Sequence, residues 1–140
     1  MLKKLLILAA IFFTAIGCID PNRIDDNGGS IKPSKGLKVL IKYDVTKKQS
    51  YPRSQVNEVI DGTPLKEYLN SIVSKDKDGD PNLRIWSVGT DTSNETQDWR
   101  DLFDSVSSTP SIVIVNGRKK CTKPLPKTKD EVISLVNGYK

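Results

Sequence analysis

The chain contains no histidine and only two cysteines in 140 residues. The absence of histidine removes the commonest general base, excludes Ser–His and Cys–His nucleophile pairs, and removes the usual transition-metal ligand. Two cysteines are too few for a four-thiolate zinc site or a disulfide-rich miniprotein. With 36% hydrophobic and 28% charged residues, the chain is neither disordered nor a polytopic membrane protein. The length suits one compact domain, for which we expect no cofactor and no metal ion.

The first residues have the pattern of an export signal. Lys3-Lys4 precedes an apolar run over residues 5–16, which is too short to span a bilayer because spanning takes about 20 helical residues. The run ends in Thr14-Ala15-Ile16-Gly17-Cys18. This ending resembles the lipobox of bacterial lipoproteins, which implies a signal peptide over residues 1–17 and diacylation of Cys18. The alternative is an ordinary signal peptide followed by a coincidental cysteine.

The lipoprotein resemblance also implies a location in the cell envelope. In that family an aspartate directly after the cysteine favours the inner membrane, but here Ile19 comes first and Asp20 second. We therefore expect the outer membrane or the cell surface, with the membrane as a partner through a lipid anchor. Residues 18–36 are predicted to be the lipidated cysteine and a flexible tether rich in Asp, Asn, Gly and Pro, and residues 37–140 the folded domain.

Three runs in the folded part are predicted to be strands. They cover residues 37–43, 83–88 and 111–115, and the apolar centre of the first suits a buried position. After the third run, Asn116-Gly117 is the favoured pair of a type I′ turn. The pair predicts a hairpin that returns as an antiparallel fourth strand over residues 118–121.

Helical patterns separate these strands. Thr63 is predicted as the N-cap of a helix with Pro64 at its first position, Asp98 begins a shorter helix, and the capping box Thr128-Lys129-Asp130-Glu131 begins the last one. Residues 44–62 read as a short helix or a packed loop. A strand–helix–strand start requires a parallel pair, and the hairpin adds antiparallel strands. The predicted fold is α/β, a four-stranded mixed sheet flanked by helices.

Residues 108–119 (Ser-Thr-Pro-Ser-Ile-Val-Ile-Val-Asn-Gly-Arg-Lys) resemble part of the thioredoxin-like fold. They match that family's cis-proline, apolar strand, hairpin and basic return strand, and the likeness in element order extends over residues 37–140. The resemblance implies a cis bond before Pro110 and a groove for extended peptides lined by Thr109, Pro110 and Ser111. The family's redox Cys-x-x-Cys is missing, because residues 44–63 contain no cysteine.

Cys121 and two charged segments are the remaining candidate sites. Cys121 is predicted to be a lone thiol; the alternatives are a reactive thiol among lysines, or a bond to Cys18 where Cys18 is not lipidated. Asp76-Lys77-Asp78-Gly79-Asp80 has the alternating carboxylates of a calcium loop but lacks its terminal glutamate, so we expect a solvated turn. The basic residues are scattered and predict no nucleic-acid partner. Arg118-Lys119-Lys120, with Lys123 and Lys127, reads as a solubilising edge, or alternatively as a contact for anionic headgroups.

These features together predict a binding module and not an enzyme. The expected function is that of a lipid-anchored, redox-inactive thioredoxin-like domain that binds a protein or peptide of the cell envelope. One alternative is a thiol enzyme that works through Cys121 alone, which the substitution Cys121→Ser would inactivate. Another is a structural or phage-encoded surface lipoprotein.

Overall fold

In a computed structural model, which describes residues 18–19 and 34–140, the predicted strand over residues 37–43 lies within the longest of the described strands. The strands are β1 (Cys18–Ile19), β2 (Ser34–Tyr43), β3 (Leu83–Ser87), β4 (Ser111–Gly117) and β5 (Lys119–Pro124). They lie side by side in the order β1-β5-β4-β2-β3. β2 and β3 are parallel, whereas the β2–β4, β4–β5 and β1–β5 pairs are antiparallel. The predicted mixed sheet of four strands is therefore confirmed, with the two-residue β1 added at one edge.

Helices cover both faces of the sheet. They are α1 (Thr63–Ile72), α2 (Gln97–Asp104) and α3 (Lys129–Asn137), preceded by a 3-10 helix at Val45–Ser50 and a π-helix at Gln55–Ile60. α1, α3 and the π-helix supply apolar side chains to one core, and α2 supplies a smaller core on the other face. The predicted α/β class is confirmed, and no helix among the described residues is long and apolar enough to cross a membrane.

The central strands β2 and β4 contain unbroken apolar runs, at residues 39–41 and 112–115, because both of their faces are covered there. On β2, Val39 and Ile41 belong to the larger core, whereas Leu40 between them packs with Trp99 and Phe103 of α2. Side chains alternate between the faces of a strand, so a strand covered on both sides reads as a continuous apolar run. The buried position predicted for the run over residues 37–43 is confirmed, whereas β3 is partly exposed at every position.

The start of α1 differs from its prediction, whereas that of α3 does not. Gly62, and not Thr63, is the N-cap of α1, and it makes no side-chain cap. A Cβ on Gly62 would lie 2.2 Å from the carbonyl oxygen of Glu58, so the close approach of the π-helix requires glycine there. The capping box of Thr128 and Glu131 is present at α3 as predicted.

The hairpin between β4 and β5 forms with a different turn. Asn116 pairs with Lys119, which makes Gly117 and Arg118 the two central residues of the turn. Gly117 has φ +61°, and no non-glycine residue among those described has a positive φ. A type I′ turn needs positive φ at both central residues, so the prediction of that type at Asn116-Gly117 is wrong, although the hairpin itself is confirmed.

The N-terminal predictions are only partly within the described residues. The predicted signal peptide over residues 1–17 and residues 20–33 of the predicted tether lie outside them. Within them, β2 begins at Ser34, and the backbone of Cys18 and Ile19 pairs with Cys121 and Lys120 of β5. Both ends of the predicted tether therefore belong to the sheet.

Candidate functional site

The cis peptide bond between Thr109 and Pro110 stands directly before β4, as the sequence predicted. Ser111, the first residue of β4, pairs with Lys42 near the end of β2. The carbonyl oxygen of Pro110 accepts a 3.0 Å hydrogen bond from the N–H of Leu125, just beyond β5. The cis bond therefore lies at the end of the sheet where the parallel strands β2 and β3 end.

The three residues of the predicted groove differ in their accessibility. Thr109 and Pro110 are partly exposed, whereas Ser111 is buried and its hydroxyl donates a 2.7 Å hydrogen bond to the carbonyl oxygen of Ser108. Neither the N–H nor the C=O of Thr109 bonds to another residue within 34–140. The backbone of Thr109 is therefore the part of this segment that a second chain can pair with, and the side chain of Ser111 supports the turn from within.

Two exposed valines lie at the same end of the sheet. Val45 follows β2 with 53% of its surface exposed, and Val88 follows β3 with 48% exposed; they are the large hydrophobic side chains that the described residues leave most open to solvent. The N–H of Val88 donates to the carbonyl oxygen of Tyr43 at 2.7 Å, which joins the two strand ends. We call Val45, Val88, Thr109 and Pro110 the cis-proline edge. Neither valine was predicted as a site: Val88 is the last residue of the predicted strand over 83–88, and Val45 lies two residues after the predicted strand over 37–43.

Lys42 holds the segment that leads into this edge. Its ammonium is buried and donates hydrogen bonds to the carbonyl oxygens of Phe103 (2.8 Å) and Val106 (2.9 Å), at the end of α2. Burial lowers the pKa of Lys42, an effect that the nearby Asp104 carboxylate partly opposes. Lys42 was not predicted as a site; the sequence feature that could have indicated it is a cation directly after the apolar run over residues 39–41.

Gln55 connects the π-helix to the chain segment that follows β5. Its side-chain amide is buried and donates to the carbonyl oxygens of Leu125 (2.7 Å) and Pro126 (3.2 Å). Leu125 is also the residue whose N–H bonds to Pro110. The π-helix, the chain after β5 and the cis bond are therefore linked in one chain of hydrogen bonds, which keeps the geometry of the edge fixed.

Cys121 is not the lone thiol that the sequence predicted. It is 1% exposed and disulfide-bonded, and no cysteine among the described residues is free. The backbone of Cys18, the other cysteine of the chain, stands directly opposite Cys121 in the β1–β5 pair. A half-cystine has no thiolate with which to attack a substrate, so the alternative of a thiol enzyme is not favoured in this state.

The two tryptophans and the predicted turn at residues 76–80 have structural roles. Trp99 is buried and Trp86 partly so, with ring centroids 6.0 Å apart in an edge arrangement. One carboxylate oxygen of Asp76 accepts the N–H groups of Asp78 and Asp80, both at 2.9 Å, and these backbone bonds lower the pKa of Asp76. Among the described residues, no group of three or more acidic or cysteine side chains is placed where it could hold a metal ion.

The basic residues around β5 point to no single ligand. Arg118, Lys119 and Lys127 are exposed, whereas Lys120 is partly buried and donates a 3.1 Å hydrogen bond to the hydroxyl of Ser105. Burial lowers the pKa of Lys120. Lys120 therefore serves packing on the α2 face as well as solubility.

Comparison with known proteins adds no family or relative to this geometry. No protein-family model, curated protein or solved structure matches the chain.

Proposed function

We propose that the chain is an exported, lipid-anchored domain of the thioredoxin-like type that binds an extended protein segment of the cell envelope and carries out no thiol chemistry. The strand order β3-β2-β4-β5, with one parallel pair and a cis-proline before β4, supports the thioredoxin-like assignment. The absence of cysteine from residues 44–63 supports the lack of redox activity, because thiol–disulfide exchange needs an accessible thiolate.

The unpaired backbone of Thr109 is the observation that carries the binding proposal. On this partly exposed residue, the N–H can donate one hydrogen bond to an extended peptide and the C=O can accept another. Strand addition gains affinity from such backbone hydrogen bonds. Val45 and Val88 offer apolar contacts for the side chains of such a peptide. Backbone pairing and apolar contact together favour an extended segment over a small polar ligand.

The location rests on the N-terminal pattern. Acyl chains on Cys18 would anchor the domain by burying methylenes, each contributing about 0.8 kcal/mol. The cis-proline edge would then meet partners that lie in the envelope. A structural or phage-encoded surface lipoprotein would share this anchor but would not need the exposed valines.

The cis-proline edge can be tested with peptides displayed on phage. Purified chain without its leader is used to select from a random decapeptide library, and the enriched peptides are compared on Val45→Asp, Val88→Asp and the control Lys77→Asp. Lys77 is exposed in the loop before β3, at the opposite end of the sheet. We expect the two valine substitutions to weaken binding by at least about tenfold, or about 1.4 kcal/mol, and the control to have no effect.

The same peptides allow a backbone readout. Hydrogen exchange at the Thr109 amide should slow when an enriched peptide is bound, because pairing removes that N–H from water. Peptides that bind all three variants equally, or that leave exchange at Thr109 unchanged, would count against this edge as the binding site.

A further inference from the structure

We infer that Cys121 forms its disulfide with Cys18, and that this bond and acylation are mutually exclusive fates of Cys18 in the exported chain. Cys121 is disulfide-bonded, and the chain has two cysteines. The strand register puts the backbone of Cys18 directly opposite Cys121. Directly opposed residues of an antiparallel pair have Cα atoms about 4.5–5.5 Å apart, a separation that a disulfide spans.

The position of this pair gives the bond a structural consequence. β5 has β4 on one side, and β1 covers its other side, so β1 forms the edge of the sheet. A disulfide across β1 and β5 would fix the N-terminal end of the mature chain to that edge. The first residue of the mature chain would then be cross-linked to the domain, with no lipid attached.

The two fates compete because both consume the Cys18 thiol. In acylation, the Cys18 thiol loses its proton and its sulfur forms a thioether with the diacylglyceryl group of a phospholipid. The bond between that diacylglyceryl carbon and the phosphate oxygen breaks, and the headgroup leaves with its phosphate. In disulfide formation, one cysteine thiolate attacks the disulfide of an envelope oxidoreductase, and the second thiolate then displaces it. The oxidoreductase leaves as a dithiol with the two electrons, and both cysteines lose their protons.

The inference concerns where the protein is located and not which ligand it binds. A chain acylated at Cys18 is held at the membrane and keeps Cys121 as a thiol, whereas a chain closed by the disulfide has no lipid anchor and leaves the membrane once its leader is cleaved. It rests on the export part of the proposed function and is independent of peptide binding at the cis-proline edge. The two proposals therefore fail in different experiments.

The test measures the state of both cysteines in each compartment. The full chain with its own leader is expressed in a Gram-negative host, and a second version is exported behind a leader without a lipobox, so that an unacylated form is always obtained. Membrane and soluble fractions are denatured in a maleimide solution, with and without prior reduction, and their intact masses are measured. Cys121→Ser and Cys18→Ser are prepared in both versions.

Unacylated chain should take up no maleimide before reduction and two after it, and should migrate faster on a gel without reductant. Cys121→Ser and Cys18→Ser should each take up one maleimide without reduction and lose the faster migration. Acylated chain should take up one maleimide without reduction, and none when Cys121 is replaced. Two reactive cysteines in unreduced, unacylated chain would overturn the inference, as would an acylated chain in which Cys121 does not react.

Discussion

The ammonium of Lys42 donates a 2.8 Å hydrogen bond to the carbonyl oxygen of Phe103 and lies 4.0 Å from the centre of the Phe103 ring. The carbonyls at the end of a helix carry the negative end of its dipole, so a cation is favourable there. Because Lys42 belongs to β2 and Phe103 to α2, the pair ties the helix to the sheet shortly before the cis bond at Pro110. A buried charge thus helps to fix the segment that presents Thr109.

Replacing this lysine should destabilise the fold. Lys42→Met keeps an apolar side chain of similar length but leaves the carbonyl oxygens of Phe103 and Val106 without their donor. We expect the free energy of unfolding in urea to fall by about 1–3 kcal/mol, the cost of leaving buried acceptors unpaired. Lys119→Met on β5 is the matched control, because Lys119 is exposed and its replacement should cost less than about 0.5 kcal/mol. Equal losses in the two variants would contradict the role of Lys42.

Stability should also rise with pH in the alkaline range. Burial lowers the pKa of Lys42 below its ordinary value of 10.5, and burial acts in the same direction on Lys120. Between the folded pKa and 10.5 the unfolded chain binds more protons than the folded one, so the free energy of unfolding increases as pH rises. Urea midpoints measured from about pH 8 to pH 10 should therefore increase more for the wild type than for Lys42→Met. Parallel pH profiles would show that Lys42 does not contribute.

The elements that the sequence predicted are those that depend on local signals. Continuous apolar runs mark strands covered on both faces, and the capping box at Thr128 needs only residues three apart. The role of Lys42 depends instead on carbonyls at Phe103 and Val106, more than half of the folded domain away in sequence. The position of Lys42 within a strand does not predict its burial, because the carbonyl oxygens that accept its hydrogen bonds come close to it only in the folded chain.

The errors at Gly62 and Cys121 have different origins. A threonine before a proline is a good local start for a helix, but the carbonyl oxygen of Glu58, four residues before Gly62, would lie 2.2 Å from a Cβ at Gly62, so the end of the π-helix requires glycine there. The inferred bond between Cys121 and Cys18 depends on the register of β1 against β5, two segments that are far apart in sequence. The exposure of Val45 and Val88 likewise depends on how the loops after β2 and β3 run.

Trp99 should be the most costly side chain to remove from the smaller core. It is 2% exposed, and its ring meets that of Trp86 edge-on at 6.0 Å. Trp99→Ala should lower the free energy of unfolding by about 3–5 kcal/mol, as large cavities in cores do. The fluorescence of the remaining Trp86 should also shift to longer wavelength as water enters. Val45→Ala provides the comparison, because Val45 is exposed and its truncation should leave both measurements nearly unchanged.

The N-cap of α3 gives a smaller and more local prediction. The Thr128 hydroxyl accepts the N–H of Glu131 at 3.3 Å, and the Glu131 carboxylate accepts the N–H of Thr128 at 3.2 Å. Thr128→Ala removes one of these bonds and should cost about 1 kcal/mol in urea unfolding. Thr128→Ser keeps a hydroxyl cap and should restore most of the loss. A serine variant as unstable as the alanine variant would locate the effect in the lost methyl group instead.

Reduction of the Cys121 disulfide should lower stability without abolishing the fold. A cross-link that closes a loop on the order of 100 residues restricts the unfolded chain, and such bonds typically contribute about 2–4 kcal/mol. Side chains of β2, β4 and the helices supply both cores, so the domain should still unfold cooperatively after reduction. Urea unfolding of unacylated protein with and without a phosphine reductant measures the difference. Cys121→Ala controls for effects of the reductant, because its midpoint should not respond. If complete reduction also leaves the wild-type midpoint unchanged, the disulfide adds no stability and β1 is held by its backbone pairing alone.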